Sequence, residues 1–319
     1  MTVIVCPKCA KKHNISADVV KKKLPSAKSF IAKCKACHNR FPVSMDQLRE
    51  QEAKSTTVEP DRKIKNQPAR KLCIALSKGG VGKTTTSTNL GACLALAGYK
   101  VLIVDTDTQG QVSYLLGKKP KSGLTELLTA ELEPEEILIK ARENLWLLAG
   151  GKSLAGVKRI IDRKSFGAEW TLHEAMKPFE YRYDFIIIDT APGWDQLSVN
   201  VFFYATEVLV PVALEFMPLQ GLSEFLKSLG SIQRYRRDVE LKYILPTFMD
   251  ARIKGPQEIF AKLKQLYPEY ICKPIRYSES ISEAPSFGKT IFEFAPGCNA
   301  SVDYRELARK VTLDDSLLL

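Results

Sequence analysis

From residue 71 to the C-terminus, short apolar runs alternate with stretches of helical periodicity. The runs fall at residues 72–76, 101–104, 145–148, 185–188, 208–211 and 243–245, and none contains a charged side chain. A strand that is apolar on both faces is buried on both faces. Alternation of such strands with helices predicts an α/β fold with a mostly parallel sheet flanked by helices on both sides. Residues 45–70 are polar, with apolar positions too sparse for a core, and predict a short helix followed by a flexible linker. The chain therefore divides into a small N-terminal unit (1–44), a linker (45–70) and a large body (71–319), with no internal repeat in the sequence.

Charge sharpens this division. The whole chain carries 47 Lys and Arg against 36 Asp and Glu, a formal net charge of +11. Residues 1–70 hold sixteen of the cations and six of the acids, so the body is nearly neutral. A basic module on a neutral body points to nucleic acid or an anionic surface as partner. The N-terminal apolar stretch is too short for a signal peptide. The longest candidate for a membrane span, residues 199–214, is broken by Asn200, Glu207 and Pro211. The tail at 311–319 is short and acidic, unlike a membrane-binding helix. These features predict a cytoplasmic protein with no membrane partner, whose cysteines serve as ligands or buried thiols rather than disulfides.

Cys6-Pro-Lys-Cys9 and Cys34-Lys-Ala-Cys37 are two such candidates, separated by 24 residues. Two thiolates three apart grip a metal from one tight turn, and a second turn completes a tetrahedron. A structural zinc ribbon is the expectation, with rubredoxin-like iron and uncoordinated thiols as the alternatives. Four cysteines close the site, which leaves His13 and His38 as surface residues. Lys21, Lys22, Lys23, Lys28, Lys33, Lys35 and Arg40 suit either contact with a polyanion or solvated loop charge. Ribbons also serve as protein-docking modules. Cys73 and Cys93 lie in apolar stretches and read as core, Cys272 and Cys298 as unligated, and His173 as a surface helix residue.

The most specific signal is Lys78-Gly79-Gly80-Val81-Gly82-Lys83-Thr84-Thr85, between an apolar run and a helix-like stretch. Strand, glycine-rich turn and helix is the context of a phosphate-binding loop. The glycines let backbone N–H groups close around phosphate, and the helix adds its positive N-terminal end. Lys83 brings a mobile charge to the β and γ phosphates, and Thr84 a hydroxyl for Mg²⁺. Two further apolar runs end in carboxylates, at Asp105-Thr-Asp107 and at Asp189. Asp189 reads as the residue that faces Mg²⁺ through water. Asp107 reads as orienting an attacking water or holding the metal's water shell.

The loop has Ser77 where the common form has glycine, and a second lysine, Lys78. It resembles the deviant Walker A loop of the ParA/MinD family of ATPases, in particular the ParA branch. Asp105-Thr-Asp-Thr-Gln-Gly110 is similar to that family's switch I, and Asp189-Thr-Ala-Pro192 to its switch II. The stretches at 211–221, 250–252 and 282–289 match further signatures, and the resemblance covers about residues 71–312. It implies ATP as substrate, a homodimer formed with ATP, and Lys78 reaching the phosphates of the partner subunit. It also implies binding to DNA without sequence preference, placing the protein on the nucleoid. A ParB-like or cargo-adaptor protein would stimulate an otherwise slow hydrolysis. Arg252 matches one of two arginines implicated in DNA contact; Ser280 stands where the other is expected, with Arg276 nearby. Trp194, after switch II, would pack at a dimer interface or in the core. The implied role is positioning or partitioning a cargo: a plasmid, a chromosome region or a protein assembly. A nucleotide-switched scaffold whose ribbon docks a protein or nucleic acid is the alternative. A membrane switch of the MinD type is disfavoured by the tail.

Overall fold

The structure is a computed structural model that describes residues 2–9, 11–15, 29–44, 67–214 and 218–314. Lys21, Lys22, Lys23 and Lys28, most of the 45–70 linker, residues 215–217 of one signature and the last five residues lie outside the described residues. The chain forms two compact units, Met1–Pro60 and Asp61–Leu319.

The first unit is built from two antiparallel hairpins, β1 (Thr2–Val5) with β2 (Lys12–Ile15) and β3 (Ser29–Lys33) with β4 (Arg40–Ser44). Each carries a Cys-x-x-Cys knuckle at its turn. The first cysteine of each donates its N–H to a carbonyl five residues on, Cys6 to Lys11 at 3.0 Å and Cys34 to Asn39 at 2.9 Å. The unit is thus the same hairpin twice, a repeat that the sequence reading misses because only the cysteines recur. Its core is minimal: Cys6, Cys34, Phe41 and Val43.

The second unit is a seven-stranded sheet. Its strands in chain order are β5 (Arg70–Ile74), β6 (Val101–Asp105), β7 (Leu138–Arg142), β8 (Leu145–Leu148), β9 (Phe185–Asp189), β10 (Glu207–Ala213) and β11 (Glu240–Thr247). They lie in the order β11-β10-β5-β9-β6-β8-β7, and all pairs are parallel except β7 with β8. The six apolar runs became the six parallel strands. β7, Leu-Ile-Lys-Ala-Arg, was not expected. It is an edge strand, mostly half-buried, and its mixed composition hides it.

The helices are α1 (Lys83–Leu96), α2 (Gln111–Leu115), α3 (Leu124–Leu128), α4 (Leu154–Asp162), α5 (Thr171–Met176), α6 (Gln196–Tyr204), α7 (Pro218–Gln233), α8 (Lys254–Leu266), α9 (Glu279–Glu283), α10 (Ile291–Phe294) and α11 (Asn299–Thr312). Apolar residues of α3 to α8 cover one face of the sheet, and those of α1, α2, α10 and α11 the other. α1 is buried on most sides, so its polar residues need internal partners. Asn89 supplies two bonds: its Nδ2 donates to Thr85 O (2.9 Å) and its Oδ1 accepts from Ile291 N (2.9 Å). Because α1 lies directly on the sheet, a Cβ at Gly91 would sit 2.8 Å from Ile103 Cδ1.

The end of α2 meets the loop before α10 backbone to backbone. Gly117 and Gly288 both have left-handed φ, +63° and +61°, and a Cβ on Gly288 would lie 2.6 Å from Gly117 Cα. Arg142 on β7 clasps the same place, donating to Leu116 O (3.1 Å), to Gly288 O (2.8 Å) and to the Glu293 carboxylate. Gly288→Ala therefore meets strain and a clash together, and is expected to destabilise this unit by about 2 kcal/mol. Urea unfolding followed by tryptophan emission reads this unit alone, since Trp146, Trp170 and Trp194 all belong to it. An unchanged midpoint would contradict the contact.

Candidate active site and metal centre

Three adjacent strands, β5, β9 and β6, bring their carboxyl ends together, and each carries one part of the site. The glycine loop follows β5. Gly80 and Gly82 take φ of +74° and +88°, which side chains with a Cβ rarely adopt, so the loop can close tightly before α1. Thr247, at the end of β11, ties the loop down by donating to Val81 O at 3.0 Å. Lys83 is 7% exposed and folds back so that its Nζ donates to Lys78 O at 2.8 Å. Burial lowers the Lys83 pKa, while Asp189 and Asp107 oppose that shift. Lys78 and the neighbouring Gly79 are exposed, Val81 is buried beneath the loop, and Thr85 is half-buried on the first turn of α1.

Asp189 ends β9, fully buried. Thr84 Oγ1 donates to its Oδ2 at 2.8 Å, and Ser87 Oγ to its Oδ1 at 2.7 Å. Burial pushes its pKa up to about 6, against the pull of these two hydroxyls and of Lys83. The sequence reading did not single out Ser87; the helical spacing from Thr84, three residues on the same face of α1, was the available signal.

β6 contributes a second buried carboxylate. Asp105 pairs in register with Asp189, and burial followed by that facing charge drives its pKa well above the carboxylate range. Asp105 Oδ1 accepts from Asp107 N (2.9 Å) and Oδ2 from Val112 N (3.3 Å). Asp105 therefore shapes the loop that carries Asp107, a role absent from the sequence reading. Asp107 in turn accepts from Gln109 N at 2.9 Å through Oδ1. Thr106 Oγ1 donates to Asp189 O at 2.7 Å and stitches the two strand ends together. Thr84, Asp189, Lys83 and Asp107 are thus gathered at one mouth. The oxygen-only donor pair of Thr84 and Asp189 suits a hard cation such as Mg²⁺.

Other candidates fall elsewhere. Arg252 is exposed, but its guanidinium forks onto Asp250, at 2.9 and 2.7 Å. Those bonds hold the Asp250 carboxyl down at about 2. Arg276 is likewise held by Asp303 at 2.7 Å. Both arginines line a cavity of about 440 Å³ with Tyr277, Ser278 and Ser280. Trp194 stacks on Phe202 (5.0 Å) and Phe225 (5.4 Å), half-buried against α6 and α7. His173, expected on the surface, is half-buried against Trp170 and Tyr204, because α5 lies over α6. Cys73, Cys93 and Cys272 are buried, and Cys298 accepts from Ser301 N (3.4 Å) at the start of α11.

In the small unit the four Sγ atoms of Cys6, Cys9, Cys34 and Cys37 lie within 4.8 Å of one another. The closest pairs, Cys6 with Cys37 and Cys9 with Cys34, are 3.6 Å apart. A tetrahedral zinc with bonds of about 2.3 Å has sulfur–sulfur edges of about 3.8 Å, so the cluster fits the ion. N–H groups of Ala36 and Cys37 point at Cys34 Sγ (3.4 and 3.5 Å), as a thiolate favours. His38 is exposed; the side chain of His13 lies outside the described residues. No helix among the described residues is long and apolar enough to cross a membrane.

The match to known proteins is extensive. A family model described as an AAA domain matches residues 69–242. The chromosome-partitioning ATPase Soj of Thermus thermophilus is 35% identical over 244 residues, covering 76% of this chain and 95% of its own. The sporulation initiation inhibitor protein Soj of Bacillus subtilis is 34% identical over 247 residues, covering 75% of this chain and 97% of its own. Cobyrinic acid a,c-diamide synthase from Mycobacterium smegmatis, solved with an ATP analogue and magnesium, superposes with a TM-score of 0.67 at 28% identity. That alignment covers 76% of this chain and 94% of the other.

One contact beneath the site gives a direct test. A Cβ at Gly150 would lie 2.6 Å from Asp105 O and 2.7 Å from Asp107 O. Gly150→Ala should displace the Asp107 loop and cost about 1–3 kcal/mol. Hydrogen exchange at the amides of Asp107 and Val112, both bound to Asp105, should accelerate. Parental exchange rates at both would show that the loop does not rest on Gly150.

Proposed function

Because this chain belongs to the ParA/MinD family of P-loop ATPases, with ATP and Mg²⁺ as its substrate and cofactor, we propose that it is a dimerising, partition-type ATPase that positions a cargo on DNA. The observation that carries this reading is the junction at Asp189. One buried carboxylate accepts from Thr84 and Ser87 on the helix of the glycine loop, and it adjoins the strand end that bears Asp107.

In this reading Gly79, Gly80, Val81, Gly82, Thr84 and Thr85 hold the phosphates through backbone N–H groups and hydroxyls. Lys83 leaves the Lys78 carbonyl for the β and γ phosphates. Thr84, and Asp189 through water, would hold Mg²⁺, which would supply charge neutralisation at the phosphates. Asp107 orients the attacking water, and Lys78 acts across the dimer on the partner's nucleotide. A ParB-like or cargo-adaptor protein stimulates turnover. The zinc ribbon, with ligands Cys6, Cys9, Cys34 and Cys37, supplies part of the DNA contact, along with Lys21, Lys22 and Lys23. Two features limit what the body itself contributes to DNA binding: Arg252 is paired to Asp250, and Ser280 is neutral. The same features favour a second reading, a nucleotide-switched scaffold without transport.

Two variants separate the roles of loop and switch. Lys78→Ala should bind nucleotide but stay monomeric with ATP and Mg²⁺, by light scattering. Asp107→Ala should dimerise and retain ATP, with single-turnover hydrolysis slowed at least about a hundredfold. Dimerisation of the first variant, or parental hydrolysis by the second, would remove the assigned role.

The metal makes a separate prediction. Elemental analysis should find a single zinc per chain, and a strong chelator should unfold the ribbon while the melting of the ATPase unit is unchanged. Iron in place of zinc, or a ribbon that keeps its exchange protection without metal, would refute it.

A further inference from the structure

The ribbon has a face that its own fold does not account for. Lys33 on β3 lies directly across from Arg40 on β4, and Ile31 directly across from Pro42. Residues two apart on a strand share a face. These four side chains therefore stand together, and all are exposed, Ile31 at 72%. Ala32, Phe41 and Val43 point the other way and pack with the cysteines.

Like charges directly opposed across an antiparallel pair destabilise it. No carboxylate among the described residues of the unit relieves the repulsion. The described residues of the unit contain no Asp or Glu, and Lys8, Lys11 and Lys35 add further exposed cations. Lys33 and Arg40 have no ion-pair partner among the described residues. The ATPase unit treats its candidate cations in the opposite way, holding Arg252 and Arg276 on carboxylates.

We propose that this face of β3 and β4 is the surface that contacts the phosphate backbone of duplex DNA, with Lys33 and Arg40 at its centre. The inference rests on the DNA-binding reading above and gives that reading a location. An anion between Lys33 and Arg40 removes their mutual repulsion, so binding recovers a cost that the free hairpin carries. Ile31 and Pro42 extend the face with an apolar edge suited to deoxyribose. Contacts to phosphate carry no sequence information, so binding through this face is independent of sequence.

The test uses the full-length chain with ATP and Mg²⁺, titrated on a duplex of arbitrary sequence at several salt concentrations. The double variant Lys33→Ala/Arg40→Ala should bind at least about tenfold more weakly, with a log–log salt slope shallower by about 2. Lys33→Glu places an acid across from Arg40. It should weaken DNA binding while slowing zinc loss to a chelator, because repulsion becomes attraction. A role in folding alone would move those two readouts together, so their opposition is diagnostic. Parental affinity and slope in the double variant, with the parent binding DNA, would overturn this surface and leave the DNA reading intact. No binding by the parent would overturn both. Binding to polyglutamate but not to duplex would assign the face to an acidic protein, and so overturn it.

Discussion

The ATPase unit is organised around a fully buried carboxylate. Asp189 ends a strand with strands on both sides and helices above and below, where an ionised group is costly. What surrounds it answers that cost: two hydroxyls from α1, the ammonium of Lys83, and the linked ends of β6 and β9. The hydroxyl groups exist because α1 begins at the glycine loop, and the loop is tight because its glycines adopt left-handed φ. A second carboxylate, Asp105, is buried beside the first and spends its acceptors on the backbone of the Asp107 loop. The site's geometry follows from satisfying these two buried groups.

Much of this was legible in the sequence. Buried parallel strands are apolar throughout, so β5, β6, β8, β9, β10 and β11 stand out from the polar chain around them. β7 does not, since an edge strand needs apolar residues on one face only, and Lys140 and Arg142 blur its alternation. The glycine loop and the strand-end aspartates stand out in the sequence because the chemistry they suggest demands fixed residue types at fixed offsets. Asp105 and Ser87 were not. Ser87 matters through a carboxylate 102 residues away, and Asp105 through backbone N–H groups of its own loop that the sequence does not show turning back to it. Gly150 was invisible for a related reason: its lack of a side chain matters only because two carbonyls approach it.

The charge map illustrates a different limit. Composition located the excess of positive charge in the first 70 residues, yet it treated every arginine of the body as equally available. In the fold, Arg252 and Arg276 are each claimed by a carboxylate, whereas Lys33 and Arg40 face each other with no carboxylate partner among the described residues. Net charge counts ions; only registration across strands and within loops says which of them remain to be used.

The contact of Gly117 with Gly288 has a mechanical consequence. One partner closes the segment that runs from Asp107 through α2; the other lies in the loop anchored on α1 where Asn89 accepts from Ile291 N. With no side chain between the two backbones, there is no rotamer to flip and no methyl group to absorb a displacement. Packed protein matter is nearly incompressible, so an advance of one backbone toward the other must be passed on rather than cushioned. The pair behaves as a hard stop between the helix that follows the glycine loop and the segment that follows the Asp107 loop.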